Sequence, residues 1–336
     1  MSGSLVPYHQ RQNKAVDRQL FVDLLSKLNR YVAIGSYRYV GFGGAFLEDF
    51  KLIHSYFGNT NLISLEKDRI AFARQQFNMP LSCITSLMKD SADFIDEYDA
   101  DEHTMIWLDY ADASKTREQL QEFETLLAKL LKHDIVKITL NANPESLGRT
   151  GEMKNGGMRE TVDERNVRRL QKLTHRLGDY LPYAPNANQM TSDGLPEVLI
   201  RAIELAANRA MEGRRREGLF FQPLSALVYN DSQHAMLTVT GILLCSSGKS
   251  KFFKETGIKK WKPSITCWGE YKKIMVPALT AREKVFIDQM LPKKSSRLIL
   301  KKLKFQFDKS EEKSIAILDN YKLYYRYYPN FHRVAF

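Results

Sequence analysis

Between residues 38 and 141 short apolar runs alternate with amphipathic ones, and this alternation constrains the fold more than any other feature of the chain. "YRYVGF", "NLISLE", "LSCITSLM", "HTMIWLDY" and "IVKITLNANP" read as strands, while "FLEDFKLIHSYFG", "DRIAFARQQF" and "KTREQLQEFETLLAKLLKHD" read as helices between them. Gly58 is placed to end the first helix and Asp68 to cap the second. Strands separated by helices run parallel, because each crossover returns the chain to the same end of the sheet, and both faces are then covered. After another helix, "GLPEVLIRAIELAANRAM", the runs "PLSALVY" and "HAMLTVTGILL" are joined only by "NDSQ", short enough for an antiparallel pair alone. The pattern predicts an α/β fold: a doubly wound, Rossmann-like parallel sheet that ends in an antiparallel hairpin. An amphipathic helix, with Leu20, Phe21, Leu24, Leu25 and Leu28 on one stripe, precedes it.

Directly behind the first strand, Gly41, Gly43 and Gly44 fall within four positions. Bare backbone of this kind serves a close approach or a turn with positive φ, and in a doubly wound sheet it lies at the crevice where ligands bind. The dinucleotide fingerprint G-x-G-x-x-G fails at its last position, which is Phe46, so a nicotinamide dehydrogenase is the weaker reading. Three acids stand at successive strand ends: Glu66 after the second, Asp90 after the third and Asp109 at the fourth. Glu66 is placed to accept from ribose hydroxyls and Asp90 from an adenine amino group.

On "YVGFGGAFLEDF", "ISLEKD", "FNMPLSCI" and "LDYADA" the chain resembles the class I S-adenosylmethionine-dependent methyltransferases over about residues 30–245, and within them a group of bacterial O-methyltransferase-like proteins associated with phage-defence genes. The resemblance implies a methyltransferase sheet. It implies that Gly41, Gly43 and Gly44 pass under the amino-acid part of S-adenosyl-L-methionine, that Glu66 holds the ribose and Asp90 the adenine, and that Asp109 sits near the methyl donor. Asp109 and Tyr110 are the residues expected at the reaction centre, by position. The chain departs from the group's pattern at Tyr39, where an acid is usual, and at Ala45, where a third spaced glycine is usual. The expected activity is methyl transfer to a hydroxyl oxygen. Transfer to a DNA amino group ranks lower, because Asp109-Tyr110-Ala111-Asp112 lacks the two prolines of the base-methylating motif. The alternative is a non-catalytic subunit of a bacterial defence complex that binds a nucleotide or nucleic acid.

Asp109, Asp112, Asn141 and Asn143 lie where some O-methyltransferases bind a divalent cation, but Asp112 is equally a helix cap and the two asparagines equally shape the "NANP" turn. No metal site is expected. His103 and His133 fall near strand starts, at the wrong edge for catalysis. Residues 144–190 leave the fifth strand at its carboxyl end as a lid-like insertion that includes the polar run "GRTGEMKNGG". Arg165, Arg168, Arg169 and Arg176 are expected to give it a positive surface.

The net charge of +11 is uneven: residues 251–336 hold 20 of the 50 Lys and Arg but only 8 of the 39 acids. This break, after "CSSGKSK", divides the chain into an N-terminal helix (1–32), an α/β domain (33–250) and a basic, aromatic-rich C-terminal module (251–336). The module reads as α+β, with a Thr280/Glu283 capping box before a helix and with "SRLILKKLKFQF" and "AILDNYKLYYRYY" as strands. Cations interleaved with aromatics suit nucleic acid or an acidic protein partner, and the chain is expected to work with protein partners. Three isolated cysteines, no apolar signal core and no apolar run of about 18 residues make the expected location cytoplasmic, away from membranes.

Overall fold

The computed structural model describes residues 11–151, 160–231 and 234–329. Five strands, β1 (Arg38–Gly41), β2 (Leu62–Leu65), β3 (Ile84–Leu87), β4 (Thr104–Asp109) and β5 (Ile135–Asn141), pair in parallel. β6 (Leu219–Asp231) and β7 (His234–Cys245) form the expected hairpin, and β7 inserts antiparallel between β5 and β6. A short β8 (Lys272–Ile274) adds in parallel to the outer side of β6, giving the order β3-β2-β1-β4-β5-β7-β6-β8. The order reverses between β1 and β4, which opens a crevice at their carboxyl ends.

The two-residue period of the strands sorts side chains into two cores. Val40, Ile106, Leu108, Val136 and Ile138 face α4 (Ser91–Asp96), α5 (Thr116–Lys129), α6 (Val162–Leu177) and α7 (Gly194–Glu212). Tyr39, Met105, Trp107 and Ile135 face the other way, toward α1 (Gln12–Leu28) and α2 (Glu48–Phe57). Leu20, Leu24, Leu25 and Leu28 of α1 are buried there, and truncating any of them to alanine costs about 2–5 kcal/mol. Asp68 caps α3 (Arg69–Phe77) by accepting from the Ile70 and Ala71 amides.

The segment after residue 250 differs from the expected α+β reading. "SRLILKKLKFQF" forms the helix α10 (Ser296–Leu303) and "AILDNYKLYYRYY" most of α11 (Glu311–Tyr324), capped by Ser295 and Ser310. The aromatic and β-branched content suggests strand, but Ile299, Leu300 and Leu303, and then Ser314, Leu318, Tyr321 and Tyr324, recur at three- and four-residue spacing, and burial of that stripe decides the outcome. With α8 (Lys249–Thr256) and α9 (Ala281–Asp288), whose Thr280/Glu283 capping box is present, these helices join the core under α1. Only β8 is a strand among the described residues of this segment.

Part of the insertion's polar run (152–159) and the hairpin connection (232–233) lie outside the described residues. Among the described residues no helix is long and apolar enough to cross a membrane.

Candidate functional site

The glycine turn is braced from below by its own chain. The Gly43 amide donates to Ser64 Oγ at 3.1 Å, and Gln75 Nε2 donates to both Ser64 Oγ and the Gly44 carbonyl at 2.9 Å. Asn78 Nδ2 donates to the Ala45 carbonyl at 2.9 Å. A Cβ on Gly43 would stand 2.4 Å from Leu47 Cδ2 and 2.5 Å from Ser64 Oγ, and Gly44 has φ of +50°. Close approach and positive φ thus both operate here, and the body that approaches Gly43 is β2 with α3. Under Gly41 lies the Tyr39 ring, its hydroxyl 3.0 Å from where a Cβ would sit, buried and without a hydrogen-bond partner among the described residues.

Asp109 ends β4 beside this turn. Its carboxylate accepts from Lys14 Nζ at 2.8 Å, a pair whose two side chains are only 6% and 13% exposed. Burial alone pushes the Asp109 carboxyl up, but Lys14, with Arg18 and Lys137 beyond it, outweighs that and holds it below the ordinary carboxylate value. Two more ion pairs complete the cluster. Arg18 Nε donates to Asp49 in the first turn of α2, and Lys137 Nζ donates to Asp17 Oδ2 at 2.7 Å while lying 3.7 Å from the Trp107 ring centroid. Thr238 Oγ1 also donates to Asp17. Three buried cations, the buried Asp17 and Asp49 and the largely covered Asp109 therefore lie together, which is tolerated only because each has a partner.

The other expected residues take these places. Glu66 follows β2, half-exposed, with Oε1 accepting from the Asp68 amide at 2.9 Å; burial pushes its carboxyl upward. Asp90 caps α4 by accepting from the Asp93 amide at 3.1 Å. Tyr110 is buried with its ring edge-on to Phe42, centroids 5.6 Å apart, and its hydroxyl donates to Glu122 Oε2. Burial first, then the Glu122 carboxylate, push the phenol well above its ordinary value. Phe42 thus joins the glycine turn to Tyr110, whereas the Asp109 carboxylate turns to Lys14 on α1, and Glu66 and Asp90 stand at the neighbouring strand ends.

The side chains weighed between a metal and a cap make local hydrogen bonds. Asp112 accepts from the Ser114 amide at 2.9 Å and Asn143 from the Glu145 amide at 3.1 Å, while Asn141 accepts from the Asn143 amide and donates to the Ala111 carbonyl. Among the described residues no group of three or more His, Cys, Asp and Glu side chains is arranged to hold a metal ion. His103 and His133 lie ahead of β4 and β5, at the opposite edge from the crevice. Arg169, expected on the insertion's surface, is instead an internal brace: it donates to the Gly148 carbonyl at 3.0 and 2.8 Å and to the Met190 carbonyl at 3.3 Å. The carbonyls left exposed by the chain's turn at Gly148 explain its burial.

Sequence reasoning missed Lys14, Asp17, Arg18, Asp49 and Lys137. A signal for three of them is present: positions 14, 17 and 18 continue the stripe of Phe21, Leu24, Leu25 and Leu28 at helical spacing, so the same face that is apolar at one end is charged at the other. Lys137 stands in an apolar strand, where a lone cation requires a buried acid.

The profile of a family described as "Putative O-methyltransferase" matches residues 6–336. A comparison with curated proteins returns no match. Solved structures that are similar include Trm1 from Pyrococcus horikoshii in complex with S-adenosyl-L-methionine (14% identity, 72% of this chain and 57% of that one, TM-score 0.42). They also include the "putative S-adenosylmethionine dependent methyltransferase" of Listeria monocytogenes (10%, 66% and 98%, 0.37) and the N-methyltransferase NodS from Bradyrhizobium japonicum WM9 (11%, 68% and 97%, 0.34).

Proposed function

Because this chain belongs to the "Putative O-methyltransferase" family, we propose that it transfers a methyl group from S-adenosyl-L-methionine to a hydroxyl oxygen of its acceptor. The observation that carries this reading is Asp109: a carboxylate at the carboxyl end of β4, beside the reversal of strand order, held ionised by Lys14. The donor supplies a methyl group on positively charged sulfur that is displaced in line, so the protein's task is to hold cation and nucleophile in register. The residues present fit that group. The turn at Gly41, Gly43 and Gly44 offers main chain to the donor's amino-acid part. The Glu66 carboxylate is half-exposed for the ribose, Asp90 serves the adenine amino group, and Asp109 provides negative charge near the sulfonium.

Tyr110 serves the reaction centre beside Asp109 by position: its hydroxyl donates to Glu122, burial and that carboxylate push the phenol well above its ordinary value, and its ring packs edge-on against Phe42 of the glycine turn, which suits shaping the site and not taking up a proton. A second reading also has an observation in its favour. Tyr39 fills the space beneath Gly41 where an acid is usual, and Lys14 already neutralises Asp109, which suits a non-catalytic nucleotide-binding subunit of a defence complex.

Calorimetric titration with S-adenosylmethionine, S-adenosylhomocysteine and a nicotinamide dinucleotide tests the assignment. Binding of the first two alone, weakened about tenfold or more in Glu66→Ala, is expected. Heat from neither refutes donor binding. Donor binding without label transfer from methyl-labelled donor to any nucleic acid, protein or small-molecule pool selects the non-catalytic reading.

A further inference from the structure

α6 carries two unlike faces. Asn166, Arg169, Leu173 and Leu177 are buried, whereas Arg168, Gln171, Lys172, His175 and Arg176 recur at three- and four-residue spacing on the outer side. Together with Ser114 those five side chains line a cavity of about 420 Å³. Every lining residue brings a hydrogen-bond donor, three bring a permanent positive charge, and among the described residues no carboxylate lines the space.

The cavity's place in the fold gives it meaning. Ser114 lies five residues beyond Asp109, in the turn after β4, with its amide and hydroxyl on Asp112. Arg176 Nη1 and Nη2 donate to Ser146 Oγ and the Ser146 carbonyl in the turn after β5, at 3.2 and 3.0 Å, which fixes the guanidinium at the carboxyl ends of the strands. Arg168 is fixed as well, gripping Glu160 through Nε and Nη2 at 2.7 Å. The acids flanking the cavity are thus Glu160, held by Arg168, and Asp112, near Arg176. Lys172 is exposed and has no acidic partner among the described residues.

We propose that this cavity is an acceptor subsite for a phosphoryl group, borne either by a small phosphorylated metabolite or by a nucleic-acid backbone. As an acceptor subsite it rests on the methyl-transfer reading. As an anion site it stands on the donor-lined wall itself, with two guanidinium groups fixed in place and an exposed ammonium between them.

The test uses the full chain at low ionic strength, titrated calorimetrically with inorganic pyrophosphate and, separately, with a short mixed-sequence single-stranded oligonucleotide. Wild type is compared with Lys172→Glu, with Lys172→Ala and with Lys301→Glu, an exposed charge reversal on α10 as control. Binding of one or both probes, weakened about tenfold by Lys172→Glu, less by Lys172→Ala and not by Lys301→Glu, is expected. Pyrophosphate binding alone identifies a small phosphorylated acceptor. Oligonucleotide binding that falls steeply with salt identifies the backbone of a nucleic acid. Binding of neither probe, or binding that Lys172→Glu leaves unchanged, overturns the proposal. S-adenosylmethionine is titrated into the same variants: phosphate binding without donor binding leaves the anion site standing and removes the methyl-transfer reading.

Discussion

Asp109 and Lys14 make a pair that neither can leave cheaply. Removing the ammonium strands a buried carboxylate, so Lys14→Met is expected to lower the unfolding free energy by about 3–5 kcal/mol in urea titration near neutral pH. The pH dependence has a definite sign. The Asp109 carboxyl is depressed in the folded state, so its contribution is present above the unfolded carboxyl value and is lost as pH falls through the folded one. In Lys14→Met the burial that raises the carboxyl is no longer offset by the ammonium, so the destabilisation is expected to shrink as pH falls and Asp109 takes up a proton; a variant whose acid unfolding curve overlays wild type would show that the pair does not govern Asp109. His133 gives the opposite chemistry. It sits at φ of +81° with Nε2 buried and without a partner among the described residues, and burial, then Lys132 and His103, lower its value to about 4. The unfolded chain takes up this proton near the ordinary histidine value of about 6.5 and the folded chain refuses it until about 4. Stability therefore falls as pH drops through that window and levels below it. His133→Asn, which also suits a positive φ, is expected to flatten this slope in urea titrations taken at pH 7, 5.5 and 4.5.

At the level of elements, the turn after β1 is the part whose tolerance can be ranked. Gly43→Ala drives a methyl into Leu47, Ser64 and Gln75, all held by other contacts, and is expected to cost about 1–3 kcal/mol or more. Gly41→Ala meets first the Tyr39 phenol, whose oxygen is buried without a partner among the described residues. Tyr39→Phe is accordingly expected to be neutral or stabilising on its own, and the Tyr39→Phe/Gly41→Ala double variant to be more stable than the two single effects added together. Strict additivity in thermal unfolding would show that the ring does not meet the added methyl. Much of this architecture was legible. The alternation of runs gave the parallel strands, the four-residue connection gave the hairpin, and Asp68, Thr280 and Glu283 announced their caps. What was not legible follows from long-range pairing. Lys137 and Asp17 are 120 positions apart, and nothing local to either indicates the partner. α10 and α11 were misread for a related reason: their aromatic residues favour strands locally, and only the core under α1 selects the helical stripe. At the site, position along the strands indicated Asp109, whereas the side-chain direction that ties Tyr110 to Glu122 is fixed by α5.

For the molecule as a whole, the charge break near residue 250 coincides with the end of β7 and not with an end of packing. Ile258, Trp261, Val276, Ile287, Ile299 and Tyr321 share one core with Leu20, Leu24 and Leu28. Val276 N donates to Asn13 Oδ1, and the Asp23 carboxylate accepts from both Trp261 Nε1 at 2.7 Å and Tyr327 at 2.6 Å. A chain cut after residue 250 is therefore expected to be insoluble or to lack a cooperative melting transition. A soluble 1–250 fragment with a single sharp transition would show that the later helices are dispensable for folding. The Asp23 clasp also sets a timetable. Its two donors lie 238 and 304 residues downstream, and at about 5–20 residues per second a ribosome needs roughly ten seconds to a minute to deliver them. Until then α1 waits with the side that those later helices cover still open to water.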